Sequence, residues 1–373
     1  MDLSNLEKVL ENKPKYRVKQ AKDAVFKNFI SDWSEATFFS KDLRDKLNKE
    51  CPLKIEADVL VSKKEDSVKA RIKLRDGLMI ETVLMRHEDG RNTVCVSSQV
   101  GCPLGCLFCA TGKMGFKKNL TSDEIIEQVI FFDRYLKPEG KKVTNVTYMG
   151  MGEPFLNYDN VLKSIRILND KEYFNIGARS ISVSTAGIIE GIKKFSQEGL
   201  QINLAISLHA PNDKLRRELM PIDKKYPLEI VLKAVDDYIG KTKRKVMFEY
   251  VLIKGVNDSD EQAMELAKII HPPTKRSDWG GKNKNQAGSR SGVGVNKKLY
   301  FLNLILYNAT PPNFGGQNLA GQAGIFKASD AKRVEGFKKV LEREKINFSQ
   351  RYRFGDDINA ACGQFATNTK SPQ

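Results

Sequence analysis

From Val94 to Glu344 the sequence alternates short apolar runs with segments whose apolar residues recur every three to four positions, and this alternation limits the possible folds more than any other feature. Short apolar runs ended by turn residues read as buried strands, and the longer period reads as helices with one apolar face. Strands are expected at Val94–Val100, Val143–Met149, Ser180–Ser184, Ile202–Leu208, Val246–Leu252 and Tyr300–Leu306, and helices at Ser122–Tyr135, Asn160–Leu168, Ile188–Glu198, Leu228–Ile239, Glu261–Ile270 and Ala331–Glu344. A strand that must cross over through a helix before the next strand lies parallel to it. The fold class expected is therefore α/β, an incomplete TIM-like (β/α)6 barrel with its ligand-binding loops at the carboxyl ends of the strands.

Residues 1–90 have a different texture. The first fifty or so are polar and helical in pattern, with a basic amphipathic stretch from Tyr16 to Lys22 running on through Phe26 and Ile30. A two-residue period then sets in around Ala57–Val61 and Ile72–Leu74, which predicts short strands of a small sheet. This segment is expected to be a small α+β N-terminal accessory domain in contact with RNA. The barrel is assigned to 91–350 and a C-terminal tail to 351–373. Residues 273–298 carry seven basic side chains, one acidic and five glycines, which reads as a flexible insertion.

A surplus of 62 Lys and Arg over 46 Asp and Glu gives a net charge of +16, which favours a polyanionic partner, nucleic acid being the commonest. No apolar run reaches the eighteen residues of a membrane span, and the first residues lack the basic start and apolar stretch of a signal peptide. A cytoplasmic monomer without membrane contact is expected.

The chemistry concentrates in Cys102-Pro-Leu-Gly-Cys106-Leu-Phe-Cys109. Three thiolates at this spacing serve one site, and residues 110–139 contain no Cys or His that could close it. A structural zinc site would have four protein ligands, whereas three cysteines on a four-iron cluster leave one iron open to a chelating small molecule. A zinc knuckle completed from far away, or three unrelated buried cysteines, are the competing readings. The expected strand ends bring this loop, Gly150-Met-Gly152-Glu153-Pro154 and Ser207-Leu208-His209 to one face. By residue chemistry alone Cys95 and Cys362 are as compatible with buried apolar roles as with reactive ones. Glu81 reads as a polar, solvent-facing strand residue, and Cys51 as structural.

The order of these residues, with Phe108 before the last cysteine, resembles enzymes that generate radicals from S-adenosylmethionine. Over nearly the whole length the chain resembles the radical methyl synthases RlmN and Cfr, which methylate adenosine in RNA. The resemblance rests on Cys95-Val-Ser-Ser-Gln-Val-Gly-Cys102, the cluster motif with Ala110-Thr-Gly112, Gly150-Met-Gly-Glu-Pro154, Ser184-Thr185, Ser207-Leu-His-Ala-Pro-Asn212, Met220-Pro-Ile222, Gly255-Val-Asn-Asp258 and Gly355-Asp-Asp-Ile-Asn-Ala-Ala-Cys-Gly-Gln364. It implies a [4Fe-4S] cluster on Cys102, Cys106 and Cys109, and S-adenosylmethionine bound by Gly152, Glu153, Ser184, Ser207, Leu208, His209 and Asn308. It further implies that Cys362 carries the methyl group as S-methylcysteine, that Cys95 resolves the adduct through a transient disulfide with Cys362, and that Glu81 accepts the adenine proton. Implied partners are 23S rRNA, tRNA and an electron donor such as flavodoxin. The implied product is methylation at carbon 2, the RlmN reaction. Carbon 8, the Cfr reaction, or a non-catalytic iron–sulfur or zinc protein that binds RNA are the alternatives. The family has no counterpart for 273–298 and usually has leucine where Phe365 stands.

Overall fold

The computed structural model describes residues 3–270, 299–310 and 326–366. The basic glycine-rich stretch 273–298 and the end of the tail lie outside those residues. Three helices open the chain: α1 (Leu3–Leu10), α2 (Lys15–Phe26) and α3 (Lys41–Glu50). Ser40 starts α3 by accepting from the Leu43 amide, which satisfies one of the free amides of the first turn. Trp33 is fully buried and donates its indole N–H to the Cys51 carbonyl at 2.8 Å, so Cys51 is a core residue. Part of the basic face of α2 is used internally, since Arg17 donates to the Phe38 carbonyl at 2.6 Å and the Lys22 ammonium stands 4.6 Å from the Tyr173 ring centre.

Four strands follow in an antiparallel meander: β1 (Glu56–Val61), β2 (Ser67–Lys73), β3 (Met79–Arg86) and β4 (Asn92–Cys95). A separate two-stranded ribbon, β5 (Gln99–Gly101) and β6 (Phe116–Asn119), brackets the cysteine loop and the short helix α4 (Ala110–Lys113). The expected first strand is thus split. After Cys95 the backbone finds other partners: the Ser97 amide donates to the Gln128 side chain at 2.8 Å, and Gln99 pairs with Asn119.

The alternation then runs as expected. Helix α5 (Ser122–Leu136), opened by a Thr121/Glu124 capping box, leads to β7 (Asn145–Tyr148), α6 (Tyr158–Asn169) and β8 (Ile181–Thr185). Next come α7 (Ile189–Phe195), β9 (Asn203–Ser207), α8 (Asp213–Leu219), α9 (Leu228–Thr242), β10 (Val246–Leu252), α10 (Asp260–Ile270), β11 (Tyr300–Leu306), α11 (Ala331–Arg343) and β12 (Phe348–Gln350). One sheet joins ten strands in the order β1-β2-β3-β4-β7-β8-β9-β10-β11-β12, parallel from β4 onward.

Six β/α units are present, as the pattern requires, and β12 adds a seventh parallel strand too short and too exposed to show a period in sequence. Residues 56–86 share the barrel's own sheet, with Val83 opposite Cys95. The centre of the sheet is buried on both faces: Leu204, Ile206, Phe248, Tyr250, Leu302 and Leu304 on one have no exposed surface, and Ala205, Glu249, Val251 and Asn303 on the other are buried too. Each large apolar side chain among them contributes roughly 1.5–3 kcal/mol by leaving water.

After β12 the chain crosses from one end of the sheet to the other. Tyr352 Oη donates to Asp66, the Lys63 amide to Asp357, Lys69 Nζ to the Asn359 carbonyl, and the Ala366 amide to Glu81. The segment 351–366 thereby spans the side that the partial barrel leaves open.

Candidate active site

A cleft open to solvent lies at the carboxyl ends of the parallel strands, where folds of this kind place their ligand sites. The three expected loops meet there: Cys102, Cys106 and Cys109 on one side, Gly150, Gly152 and Glu153 after β7, and Ser207 and His209 after β9. Ser184 at the end of β8 and Asn308 after β11 complete the ring, and Cys362 enters from the C-terminal segment.

The cysteine loop is pinned on several sides. Cys102 N donates to the Gly115 carbonyl at 3.0 Å, Leu107 N to Leu219 at 3.0 Å, Cys109 N to Cys106 at 3.2 Å and Ala110 N to Gly363 at 2.8 Å. Burial pushes the Cys102 thiol up to about 12, and burial with the neighbouring Cys109 and Cys102 charges raises Cys106 well above its ordinary value. Three thiolates here repel one another, so the donor set fits a cationic centre that would hold them ionised. Two further acids and bases on the cleft wall are already engaged. Glu153 accepts from Phe155 N at 3.0 Å and Ala186 N at 2.7 Å, and His209 Nδ1 accepts from Val251 N at 3.1 Å. Among the described residues no three Cys, His, Asp or Glu side chains stand at metal-ligand spacing. The thiols therefore share a wall and must turn toward one another to bind a cluster.

Glu153 is raised to about 7 by burial, against the pull of its backbone donors. His209 is depressed to about 3 by burial and by the Arg216 charge, so its ring is neutral. With Nδ1 accepting, Nε2 carries the hydrogen. The ring meets Phe108 edge to face at 4.8 Å, which joins the cysteine loop to the β9 loop.

The two glycines after β7 line the cleft, but the space their missing side chains leave faces the protein. A Cβ on Gly150 would sit 2.7 Å from the Val96 carbonyl oxygen, and one on Gly152 would sit 2.5 Å from Gln99 Cβ at a φ of +99°. The room their missing side chains leave is filled by the Val96–Gln99 loop, so they serve packing within the protein. Leu208 also differs from its neighbours: its side chain is wholly in the core and does not line the cleft, while its amide donates to the Glu249 carbonyl at 3.0 Å. Ser184 and Ser207 stand with their hydroxyls 3.4 Å apart on the wall. Asn308 donates to the Cys362 carbonyl at 3.0 Å, and its buried Oδ1, at the cleft, has no hydrogen-bond partner among the described residues.

Cys95 ends β4 just behind the wall, buried, and Cys362 lies open to the cleft interior although protein surrounds the site. Burial raises both thiols, Cys95 to about 12 and Cys362 to about 11. The Arg351 guanidinium opposes this at each, and the Cys362 charge adds to the rise at Cys95. Glu81 departs from the solvent-facing reading. It is 1% exposed, forms an ion pair with Lys69 at 2.8 Å, accepts from Ala366 N at 2.9 Å, and does not line the cleft.

Residues 96–267 match the family model described as Radical SAM superfamily. A probable dual-specificity RNA methyltransferase RlmN of Dictyoglomus thermophilum is 40% identical over 365 residues, covering 97% of this chain and 94% of that protein. The chain belongs to the RlmN family. RlmN 2 of Protochlamydia amoebophila, also described as a probable dual-specificity RNA methyltransferase, is 39% identical over 96% of this chain and 90% of its own length. A radical SAM methyltransferase of known structure from Sphaerobacter thermophilus superposes with a TM-score of 0.84 at 37% identity, covering 99% of this chain and 98% of that one. The protein is a radical SAM RNA methyltransferase, and membership of the radical SAM family implies a [4Fe-4S] cluster and S-adenosylmethionine.

Two site residues of this RlmN-family chain escape a sequence reading. Glu249 interrupts the apolar β10 with a carboxylate 2% exposed, and accepts from Asn303 and from Arg351, each at 3.1 Å. Its other oxygen is buried at the cleft without a hydrogen-bond partner among the described residues. A charge in the middle of a two-sided buried strand was a usable signal, since such a residue needs a partner. Arg351 gave none, because one arginine in a basic tail is unremarkable until its strand end is brought beside Met149, Cys95 and Cys362.

Proposed function

We propose that this RlmN-family enzyme methylates carbon 2 of an adenosine in 23S rRNA and of an adenosine in the anticodon loop of tRNAs, with Cys362 carrying the methyl group and Cys95 resolving the RNA adduct. The observation that carries this reading is the neighbourhood of the two cysteines: close enough for their charges to interact, sharing Arg351, and beside the loop of Cys102, Cys106 and Cys109. A cluster held by those three thiolates would supply the electron that cleaves S-adenosylmethionine.

Cys362 suits the role of methyl carrier because its side chain is open to the cleft while its carbonyl is fixed by Asn308. A thiol that must give up its proton before attacking a sulfonium methyl is helped by a fixed cation, and Arg351 supplies one. Cys95, buried at a strand end, is shielded from adventitious alkylation and has Cys362 as its near sulfur, which is what a resolving thiol needs. Glu81 is the family's candidate for taking the proton from the adenine carbon, and since it lies behind the cleft wall, bonded to Lys69 and Ala366 N, this role requires the C-terminal segment to move when RNA binds.

Nucleoside mass spectrometry of rRNA and tRNA treated with the reconstituted enzyme tests the reading. Methyl at carbon 2 is expected, and methyl at carbon 8 or none overturns it. Cys362→Ala is expected to form neither product nor protein-bound methyl. Cys95→Ala is expected to accumulate a nuclease-sensitive covalent RNA–protein band on a denaturing gel, and normal turnover by that variant would remove Cys95 from the scheme.

A further inference from the structure

The loop that carries Cys362 is held at its centre by neutral hydrogen bonds. Ala110 N donates to Gly363 O at 2.8 Å, Asn308 to Cys362 O at 3.0 Å, and Thr111 Oγ1 to Phe365 O at 2.7 Å. Its two ends are held differently. Lys69 Nζ donates to the Asn359 carbonyl at 3.0 Å, and Glu81 Oε2 accepts from the Ala366 amide at 2.9 Å. Lys69 Nζ and Glu81 Oε2 are themselves 2.8 Å apart, with side chains 5% and 2% exposed. A single buried ion pair therefore grips both sides of Cys362, three residues before it and four after. Lys69 also stands 5.9 Å from the Phe365 ring centre, over the same loop. Such a pair is costly to bury and is weak evidence for stability by itself, so its place between two otherwise distant backbone points asks for a positional explanation.

We propose that Lys69 is a positioning residue for methyl transfer: paired with Glu81, it clamps both ends of the Cys362 loop and so sets where the Cys362 sulfur sits in the cleft. The inference rests on the reading of Cys362 as methyl carrier. It assigns Glu81 a mechanical duty, carried by its bonds to Lys69 Nζ and the Ala366 amide. Loss of the Lys69 ammonium leaves an acceptor carbonyl at Asn359 and a lone buried carboxylate at Glu81, and both ends of the loop slacken together. The clamp reaches the loop of Cys102, Cys106 and Cys109 only indirectly, through the bonds of Ala110 and Thr111 to Gly363 and Phe365, so its loss is expected to affect methyl loading far more than S-adenosylmethionine cleavage.

The test uses Lys69→Met, which keeps the length and removes the charge. A Lys69→Met/Glu81→Gln double variant is carried alongside it, because removing both charges avoids an unpaired buried one and protects the fold. Hydrogen exchange read by mass spectrometry is expected to show peptide 359–366 exchanging about tenfold faster or more in both variants, the factor that one lost charge-assisted hydrogen bond produces. Peptides from β2 and β3 are expected to keep their protection in the double variant. On the reconstituted Lys69→Met enzyme, methyl loading onto Cys362 is expected to fall about tenfold relative to uncoupled S-adenosylmethionine cleavage, a ratio that general destabilisation does not change. Unaltered protection of 359–366 in both variants, or equal losses of loading and cleavage, would overturn the proposal. A wild-type enzyme that never carries methyl on Cys362 would refute the methyl-carrier reading instead, while the exchange data still judge the clamp.

Discussion

Replacing Gly152 by alanine separates two explanations of the glycines after β7. In the structure the new Cβ would lie 2.5 Å from Gln99 Cβ, 2.7 Å from its Cγ and 2.8 Å from its backbone nitrogen, at a φ of +99°. The backbone conformation alone costs an L residue about 1–3 kcal/mol. Overpacking a closed site costs about 1–3 kcal/mol more. Gln99 cannot swing away freely, because its Oε1 accepts from the Glu153 amide at 2.8 Å and its Nε2 donates to Asn119 at 2.8 Å. Losing the buried bond to Glu153 adds about 1 kcal/mol. The expected destabilisation is thus roughly 3–5 kcal/mol after partial relaxation, measured by urea unfolding of the metal-free protein followed by circular dichroism. A variant destabilised by less than about 1 kcal/mol whose S-adenosylmethionine affinity nonetheless drops sharply would show that the glycine makes room for the ligand, and the packing argument would be wrong.

Arg216 is fully buried and donates to Asp223 at 3.0 Å, to Tyr226 O at 3.1 Å and to Ala186 O at 2.7 Å beside the β8 end. Arg216→Met is expected to cost about 3–5 kcal/mol by leaving the buried Asp223 with only the half-exposed Arg217 at 3.5 Å, and an Arg216→Met/Asp223→Leu pair to recover much of it, both read by urea midpoints. Folding lifts the Glu153 carboxyl from 4.5 to about 7, so the folded state holds the proton more tightly and the group's stabilising contribution is complete below its unfolded value and lost as pH rises through 7. Wild-type stability is therefore expected to fall by up to about 3 kcal/mol between pH 4.5 and 8 relative to Glu153→Gln, and parallel pH–stability curves would show that the carboxyl is not perturbed. Alanine at Cys102, Cys106 or Cys109 is expected to abolish both iron content and S-adenosylmethionine cleavage after anaerobic reconstitution, since the set has no spare thiolate. A normal cluster absorption in the triple variant would sink the ligand assignment.

How much of this was legible in sequence depended on the distance over which each residue is stabilised. Strands β10 and β11 lie where their apolar runs end, at Val246–Leu252 and Tyr300–Leu306, because burial of those runs against their neighbours dominates their placement. The run Val94–Val100 looked as continuous but breaks after Cys95, where Ser97 and Ser98 bond to Gln128 and Met151 instead of a neighbouring strand. The cysteine spacing and the convergence of the three loops could be read directly, since both follow from local order and strand direction. Glu81 could not: its alternation marks a strand residue correctly, but its burial depends on Ala366, 285 positions later. Gly150 and Gly152 were recognisable as positions that forbid a side chain. Whether ligand or protein filled the space depended on a loop fifty residues upstream, beyond the reach of any local pattern.

The crossing of residues 351–366 from one end of the sheet to the other also has a temporal side. The bonds from Lys63 to Asp357, Lys69 to Asn359 and Ala366 to Glu81 join positions 294, 290 and 285 apart. At about 5–20 residues per second of synthesis, β2 and β3 wait on the order of 15–60 s for the segment that covers them. Throughout that interval Lys69 and Glu81 lack the Asn359 carbonyl and the Ala366 amide that they bond in the folded chain. The ion pair therefore gains its last backbone partners only with the segment that spans the barrel's open side.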